Sequence, residues 1–237
     1  MDLVKDQHID HLLKQIQIHV NKDNQIVIVN EIPSEFHLIG LGTDAIVVWH
    51  PSEPKVVFKV FAPDRQNKKV VEATVYEQLG SHPNFCRYFG QGEHYLILSY
   101  EQGPTLYQCL EEGIEIPEQV VQDVEEARKF ARMKGLNPRD IHLKNVIYQD
   151  GHAKVVDVSE YLKEGNDLRW DHLVEGYRHY YPLIRGRKIP TWMIEFAKKR
   201  YMARASEEFS IKDFFLSLNN YITEKLYNQE KETRSKR

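Results

Sequence analysis

Two apolar runs, NVIY and HAKVVDV, flank the dipeptide Asp150-Gly151. An Asp-Gly pair between such runs is the strongest short-range signal for a hairpin turn, because both turn positions need positive φ. The hairpin fixes what surrounds it. Asn145 opens the first run and Asp157 lies near the end of the second, so the hairpin carries Asp157 across from Asn145. Upstream stands RDIHLKN, residues 139–145, in which Asp140, His142, Lys144 and Asn145 alternate with Ile141 and Leu143. The apolar pair can anchor this loop while the polar groups share one side.

Asp140, Asn145 and Asp157 are hard oxygen donors of the kind that gather around magnesium and a phosphate. They are also ordinary turn and cap residues, so the rest of the chain must decide. The N-terminal part carries Leu3, Ile9, Leu12, Leu13 and Ile16 at near-helical spacing, which predicts an amphipathic helix within residues 1–20. Short β-branched runs at 25–29, 45–50 and 55–61 predict strands, as do YFGQG and HYLILSY. A charged helix is expected over 64–80, with Val70, Val71, Thr74, Val75 and Leu79 inward. After GPTL at 103–106 the text becomes mostly helical. The expected fold class is α+β and two-lobed: an antiparallel sheet with one helix, then a mostly helical lobe, joined at a cleft.

Three further positions bear on that cleft. IGLGTDAIV, residues 39–47, places Gly40 and Gly42 where backbone N–H groups can approach phosphate oxygens. Taken alone, two glycines in a hairpin are more often just a turn. A strand follows them, whereas a dinucleotide fold would need a helix. Lys59 sits among apolar neighbours in VVFKVF, on the face of Val57 and Phe61, where it must find an anion or guard a sheet edge. Glu72 lies on the predicted helix with Tyr76 and Leu79 at helical spacing, so it can turn inward to Lys59.

The ordered set GLGTDAIV, VVFKVF, Glu72 ahead of SHPNF, RDIHLKNVI and VVDVS resembles the protein-kinase-like superfamily over about residues 36–220. The joint pattern is far more specific than any one element. The resemblance implies the following roles. Gly40, Gly42 and Ala45 cover the phosphates of ATP, and Lys59 holds the α- and β-phosphates with Glu72 as its partner. Ile39, Val47 and Ile147 sandwich the adenine, Leu98 guards its pocket, and Ser99 to Glu101 form the hinge. Asp140 is the catalytic base, and Asn145 and Asp157 hold magnesium; from the loop's own residues, Lys144 can neutralise a transferring phosphoryl. Asp171 braces the catalytic loop. The implied domains are an extension at 1–35, an N-lobe at 36–102, a reduced C-lobe at 103–225 and a disordered tail at 226–237.

Departures from the family pattern shape the functional expectation. Pro138 stands where histidine is usual, Val57 where alanine is usual, and Asp157-Val158-Ser159 replaces Asp-Phe-Gly. Only residues 158–170 separate Asp157 from Asp171, with no Ala-Pro-Glu motif, which leaves hardly any activation loop. His142 replaces the lysine typical of serine/threonine kinases, as in aminoglycoside phosphotransferases. Three functions follow in order: a serine/threonine protein kinase with a reduced activation segment, a kinase of small hydroxylated molecules (aminoglycoside- or choline-kinase-like), and a pseudokinase scaffold. Composition adds limits. A net charge of −3 gives no basic field for nucleic acid, and no run nears the roughly 20 apolar residues of a membrane span. The start, MDLVKDQHIDHLLKQ, is too charged for a signal peptide. Cys86 and Cys109 form no motif and suit a reducing cytoplasm. His8 and His11 share a helix without a second pair of metal ligands. The expectation is a cytoplasmic monomer without nucleic-acid or membrane partners.

Overall fold

The computed structural model describes residues 7–21, 25–204, 210, 212–214 and 216; Leu3 and the expected tail at 226–237 lie outside them. The chain divides into two compact units, one of residues 1–107 and 116–170, the other of residues 108–115 and 171–237. The fold class is α+β.

The first unit begins with α1 (Gln7–Leu13), followed by β1 (Gln17–His19) and β2 (Ile28–Glu31), an antiparallel pair. The helix expected over residues 1–20 therefore ends at Leu13. Ile16 falls outside it, and the chain turns into strand so that Ile18 reaches the core. Five antiparallel strands come next in the order β3-β4-β5-β7-β6: β3 (His37–Leu41), β4 (Ala45–Trp49), β5 (Val56–Phe61), β6 (Tyr88–Gln91) and β7 (Tyr95–Ser99). Strand alternation sorts β5 into two faces. Val56, Phe58 and Val60 join Ile9, Leu12, Leu13, Ile18 and Val27 in one core, so α1 and β1 cover that side of the sheet. Val57, Lys59 and Phe61 point to the opposite side.

α2 (Gln66–Leu79) buries Lys69, Glu72, Ala73, Val75, Tyr76 and Leu79. The expected inner face was rotated: Val70 is exposed, as is Thr74. The inward stripe is instead built around Glu72, whose carboxylate finds its partner on the sheet. Lys69 can also be buried because its ammonium donates to the carbonyls of Gly92 and Glu93 at 2.8 and 2.9 Å.

The segment after α2 ties the sheet to the hairpin. Cys86 N–H donates to Val155 O, Val155 N–H donates to Asn84 O, and Tyr76 Oη lies 2.9 Å from Cys86 Sγ. The hairpin strands are β8 (Val146–Gln149) and β9 (His152–Val155), with Asp150 and Gly151 at φ 51° and 87° as the turn chemistry requires. Beneath them runs α4 (Glu118–Met133), after α3 (Leu106–Glu112). Its stripe Val120, Val124, Ala127 and Ala131 is buried, and buried Asp123 accepts Ala153 N–H at 2.8 Å, fixing β9 on the helix.

The second unit holds the rest of α3, most of α5 (Arg169–His179), and α6 (Thr191–Arg204). Ile189 N–H donates to Leu110 O and Thr191 Oγ1 to Glu111 Oε1, which fasten the start of α6 to α3. Tyr177 and Tyr181, from the expected aromatic cluster, stack at 4.8 Å. Among the described residues, no helix is long and apolar enough to cross a membrane.

Candidate active site

Every residue that forms the site lies in the first unit. Lys59 is not an edge-strand guard: β5 is the central strand of five, and Lys59 is only 12% exposed. Its Nζ donates to both Glu72 oxygens at 2.8 and 2.7 Å and approaches Asp157 Oδ2 at 3.3 Å. Burial opposes the charge on Lys59, but the carboxylates of Asp157 and Glu72 outweigh it and hold its pKa above the usual lysine range. Burial pushes Glu72 up to about 7, with Lys59 opposing the rise. For Asp157, burial acts upward but Lys59 and the Ser159 N–H prevail, so its pKa is lowered.

The hairpin brings the loop residues to this point. Val146 pairs with Val155, and Val156 N–H donates to Asn145 O at 3.0 Å, so the ladder continues one step beyond the strands. Asp157 follows directly. Asn145 Nδ2 donates to Asp140 O at 3.1 Å, which leaves Asn145 Oδ1 as an acceptor or ligand oxygen. Asp140 itself has φ 58°, a conformation costing on the order of 1–3 kcal/mol for a residue other than glycine. Its amide is held by Asp167 Oδ2 at 2.7 Å, and its Oδ1 accepts from the Arg169 guanidinium. Burial pushes Asp140 up to about 6; Arg169 opposes the rise, whereas Asp157, Asp167 and Glu160 add to it.

Other expected site residues take defined places. Gly42 N–H donates to Ala45 O at 2.9 Å, closing the tight turn between β3 and β4, and Gly40 pairs with Val47. Val47 in turn pairs with Lys59. Ile39 is exposed on β3, and Val47 and Ile147 are half-buried, so all three keep apolar surface open to solvent. Leu98 is buried opposite Val57. Ser99 Oγ accepts Arg87 N–H and donates to Glu101, which orders the expected hinge. Just past it, Gly103 (φ 148°) must be glycine: a Cβ would stand 2.1 Å from Tyr148 O. Lys144 is placed with Nζ 4.2 Å from the Tyr107 ring centroid, and Tyr107 N–H donates to Leu143 O, so this contact anchors the loop to α3.

Sequence reasoning missed Asp167 and Arg169. The carboxylate on the Asp140 amide is that of Asp167. A signal for both was available. Asn166-Asp167 is a helix-start pattern, and Arg169 opens α5, where the macrodipole disfavours a cation unless a carboxylate faces it.

The donor set can be tested against a divalent cation. Among the described residues, no group of three or more His, Cys, Asp and Glu could hold a metal. Asn145 and Asp157 therefore fit magnesium only with phosphate oxygens completing its shell, which is how that ion binds in nucleotide sites.

No protein-family model matches the chain. It is 36% identical over 177 residues to "Putative serine/threonine-protein kinase YrzF" of Bacillus subtilis (strain 168), a match covering 73% of this chain and 82% of that protein. Among solved structures it is similar to the kinase domain of M. tuberculosis PknI, at 19% identity and a TM-score of 0.41 over 53% of this chain and 59% of that one. An aligned relative of that identity and coverage defines the class. The chain belongs to the protein-kinase-like superfamily.

Proposed function

We propose that this protein is an ATP- and magnesium-dependent kinase that phosphorylates serine or threonine hydroxyls of proteins. The observation that carries the reading is the buried contact of Lys59 with Glu72 and Asp157. Ionic groups withdrawn from water are costly to keep, and replacing them with apolar residues is often neutral or stabilising. Nucleotide binding gives a reason for retaining all three. The hydroxyl acceptor is supported by the name of the Bacillus subtilis relative.

In this reading residues 36–102 hold most of the nucleotide site, and 103–225 complete it with Asn145, Ile147 and Asp157 and serve the acceptor. ATP lies with its phosphates under Gly40, Gly42 and Ala45 and its adenine between Ile39, Val47 and Ile147, against the hinge Ser99 to Glu101. Lys59, positioned by Glu72, neutralises the phosphates. Asn145 and Asp157 would hold magnesium, which supplies further neutralisation of the phosphate oxygens. The acceptor oxygen attacks the γ-phosphorus, the bond to the β–γ bridging oxygen breaks, and ADP leaves with its electron pair. The hydroxyl proton goes to Asp140. Positioning and electrostatics carry most of such a reaction. Both cysteines are free and buried, which suits the cytoplasmic placement we assign.

A second reading, a kinase of small hydroxylated molecules, is favoured by one observation: residues 158–170 are too few to build a docking platform for a peptide. The fate of label from γ-labelled ATP separates the readings. Label on protein supports the first and label on a metabolite the second. No transfer leaves a scaffold. Lys59→Met should keep the fold by circular dichroism and abolish transfer; an active Lys59→Met variant would sink both kinase readings.

A further inference from the structure

Phosphoryl transfer builds negative charge close to the catalytic base, where a fixed cation stabilises it. The catalytic loop of this chain carries Arg139, His142 and Lys144, and each has a contact away from the Asp140 carboxylate, with the Arg139 guanidinium on Glu164 O. His142 Nδ1 accepts the Lys144 N–H at 3.2 Å, so that ring nitrogen is turned to its own loop. Lys144 Nζ lies over the Tyr107 ring. The cation on Asp140 comes from outside the loop. Arg169, the first residue of α5, donates from its guanidinium to Asp140 Oδ1 and has Nε 3.7 Å from Asp167 Oδ2.

We propose that Arg169 is the positioning residue of the catalytic base: it fixes the Asp140 carboxylate and holds a positive charge at the point of phosphoryl transfer. The role rests on the kinase reading above.

Four observations support it. Asp167 grips both ends of the pair, accepting Asp140 N–H through Oδ2 and Arg169 N–H through Oδ1, so the base and its cation are registered to one carboxylate. The backbone is strained at each end. Asp140 has φ 58°, which aspartate adopts more readily than most residues, and Leu168, next to Arg169, has φ 54°, where a bulky side chain is a genuine outlier. Strain of this kind persists only where surrounding structure over-determines it. Both side chains are about one-third exposed (31% each), which leaves room for a substrate. Finally, a cation in the first turn of a helix runs against the macrodipole, so helix stability gives no reason for an arginine there. With Oδ1 on Arg169, Oδ2 is the oxygen that takes the acceptor proton. The guanidinium then stays beside the oxygens that gain charge as the β–γ bond breaks.

The planar fork makes the choice of arginine specific. It can lie between Asp140 and Asp167 at once, whereas a lysine is a point charge that serves one of them. The experiment uses the full-length protein, γ-labelled ATP with magnesium, and casein as the acceptor, with autophosphorylation and ATP hydrolysis read alongside. Arg169→Ala should lower kcat by about 100-fold, the usual scale of an acid–base group that loses its setting. The KM for ATP should change less than about threefold, because the contacts at Lys59 and Asp157 remain. Added guanidinium ion at millimolar concentration should restore part of the Arg169→Ala rate and leave the wild type unchanged. Arg169→Lys should fold as the wild type does and keep an intermediate kcat, and it decides the matter if the alanine variant does not fold. Wild-type kinetics in Arg169→Ala, or in Arg169→Lys should that be the folded variant, would overturn the role. So would a faster rate, which would make the ion pair a latch, or a loss confined to the KM for ATP. A wild type that moves label to neither casein, itself nor water overturns the kinase reading and this role with it.

Discussion

Asp140 and Asp157 are both carboxylates of the candidate site, one beside Asn145 and the other beside Lys59, and their surroundings separate their roles. Asp157 is held low by Lys59 and the Ser159 N–H, so it stays anionic and can face a cation. Asp140 is turned toward Arg169 and raised by burial, as suits a group that receives a proton. Removing each should therefore leave a different signature. Asp140→Asn should keep Mg·ATP affinity near the wild-type value and cut turnover by about two orders of magnitude or more. Asp157→Asn should weaken metal-dependent nucleotide binding, and extra magnesium should recover part of its activity. A magnesium titration of affinity and turnover for both variants checks this. Rescue of Asp140→Asn by magnesium would exchange the two roles.

At the scale of elements, the short segment after Asp157 is already ordered by contacts that need no phosphate. Asn137 Nδ2 donates to Lys163 O and Gly165 O at 2.7 and 2.6 Å, Asn137 N–H donates to Tyr161 O, and the Arg139 guanidinium donates to Glu164 O. Glu160 reaches Lys68 on α2 at 3.5 Å, the same helix that carries Glu72. In kinases switched by phosphorylation, new arginine–phosphate pairs do this ordering. Here Arg139 is engaged with backbone carbonyls, and Tyr161 is buried at 1% exposure. Phosphatase treatment should accordingly leave activity within about twofold of the untreated enzyme, a change too small for an ordering switch. A large loss restored by autophosphorylation within 159–170 would show that a switch exists. The elements themselves were unevenly legible. The β8–β9 hairpin could be read because turn chemistry is local, and with it the pairing of Asn145 with the neighbour of Asp157. On α2 the inward turn of Glu72 with Tyr76 and Leu79 was legible from helical spacing. The exposure of Val70 and Thr74 was not, because apolar content alone does not say which stripe the Lys59–Glu72 contact turns inward. Nor was the contact of Arg169 with Asp140, which joins distant positions. The central place of β5 was equally hidden, since strand order is set by tertiary pairing and not by the strand's own residues.

At the scale of the whole molecule, the division into two units has a thermodynamic consequence. The candidate nucleotide contacts, from Ile39 to Asp157, all belong to the first unit, whose core also includes α1 and β1. Val27 N–H donates to Gly42 O, so the extension is bonded directly to the glycine turn. A nucleotide that binds there stabilises the extension, sheet, hairpin and catalytic loop together, because each holds part of the site or its support. A ligand at one hundred times its dissociation constant stabilises the folded state by about 2.7 kcal/mol. In a chain of this size that corresponds to a rise in melting temperature of roughly 5–10 °C. ATP with magnesium should produce such a rise, and Asp157→Asn should blunt it. Hydrogen exchange should show slower amide exchange at 39–47, 99–103 and 140–145 when Mg·ATP is bound. A melt and an exchange pattern both unmoved by saturating Mg·ATP would leave the buried lysine and its two carboxylates without a nucleotide to explain them, and the scaffold reading would then be preferred.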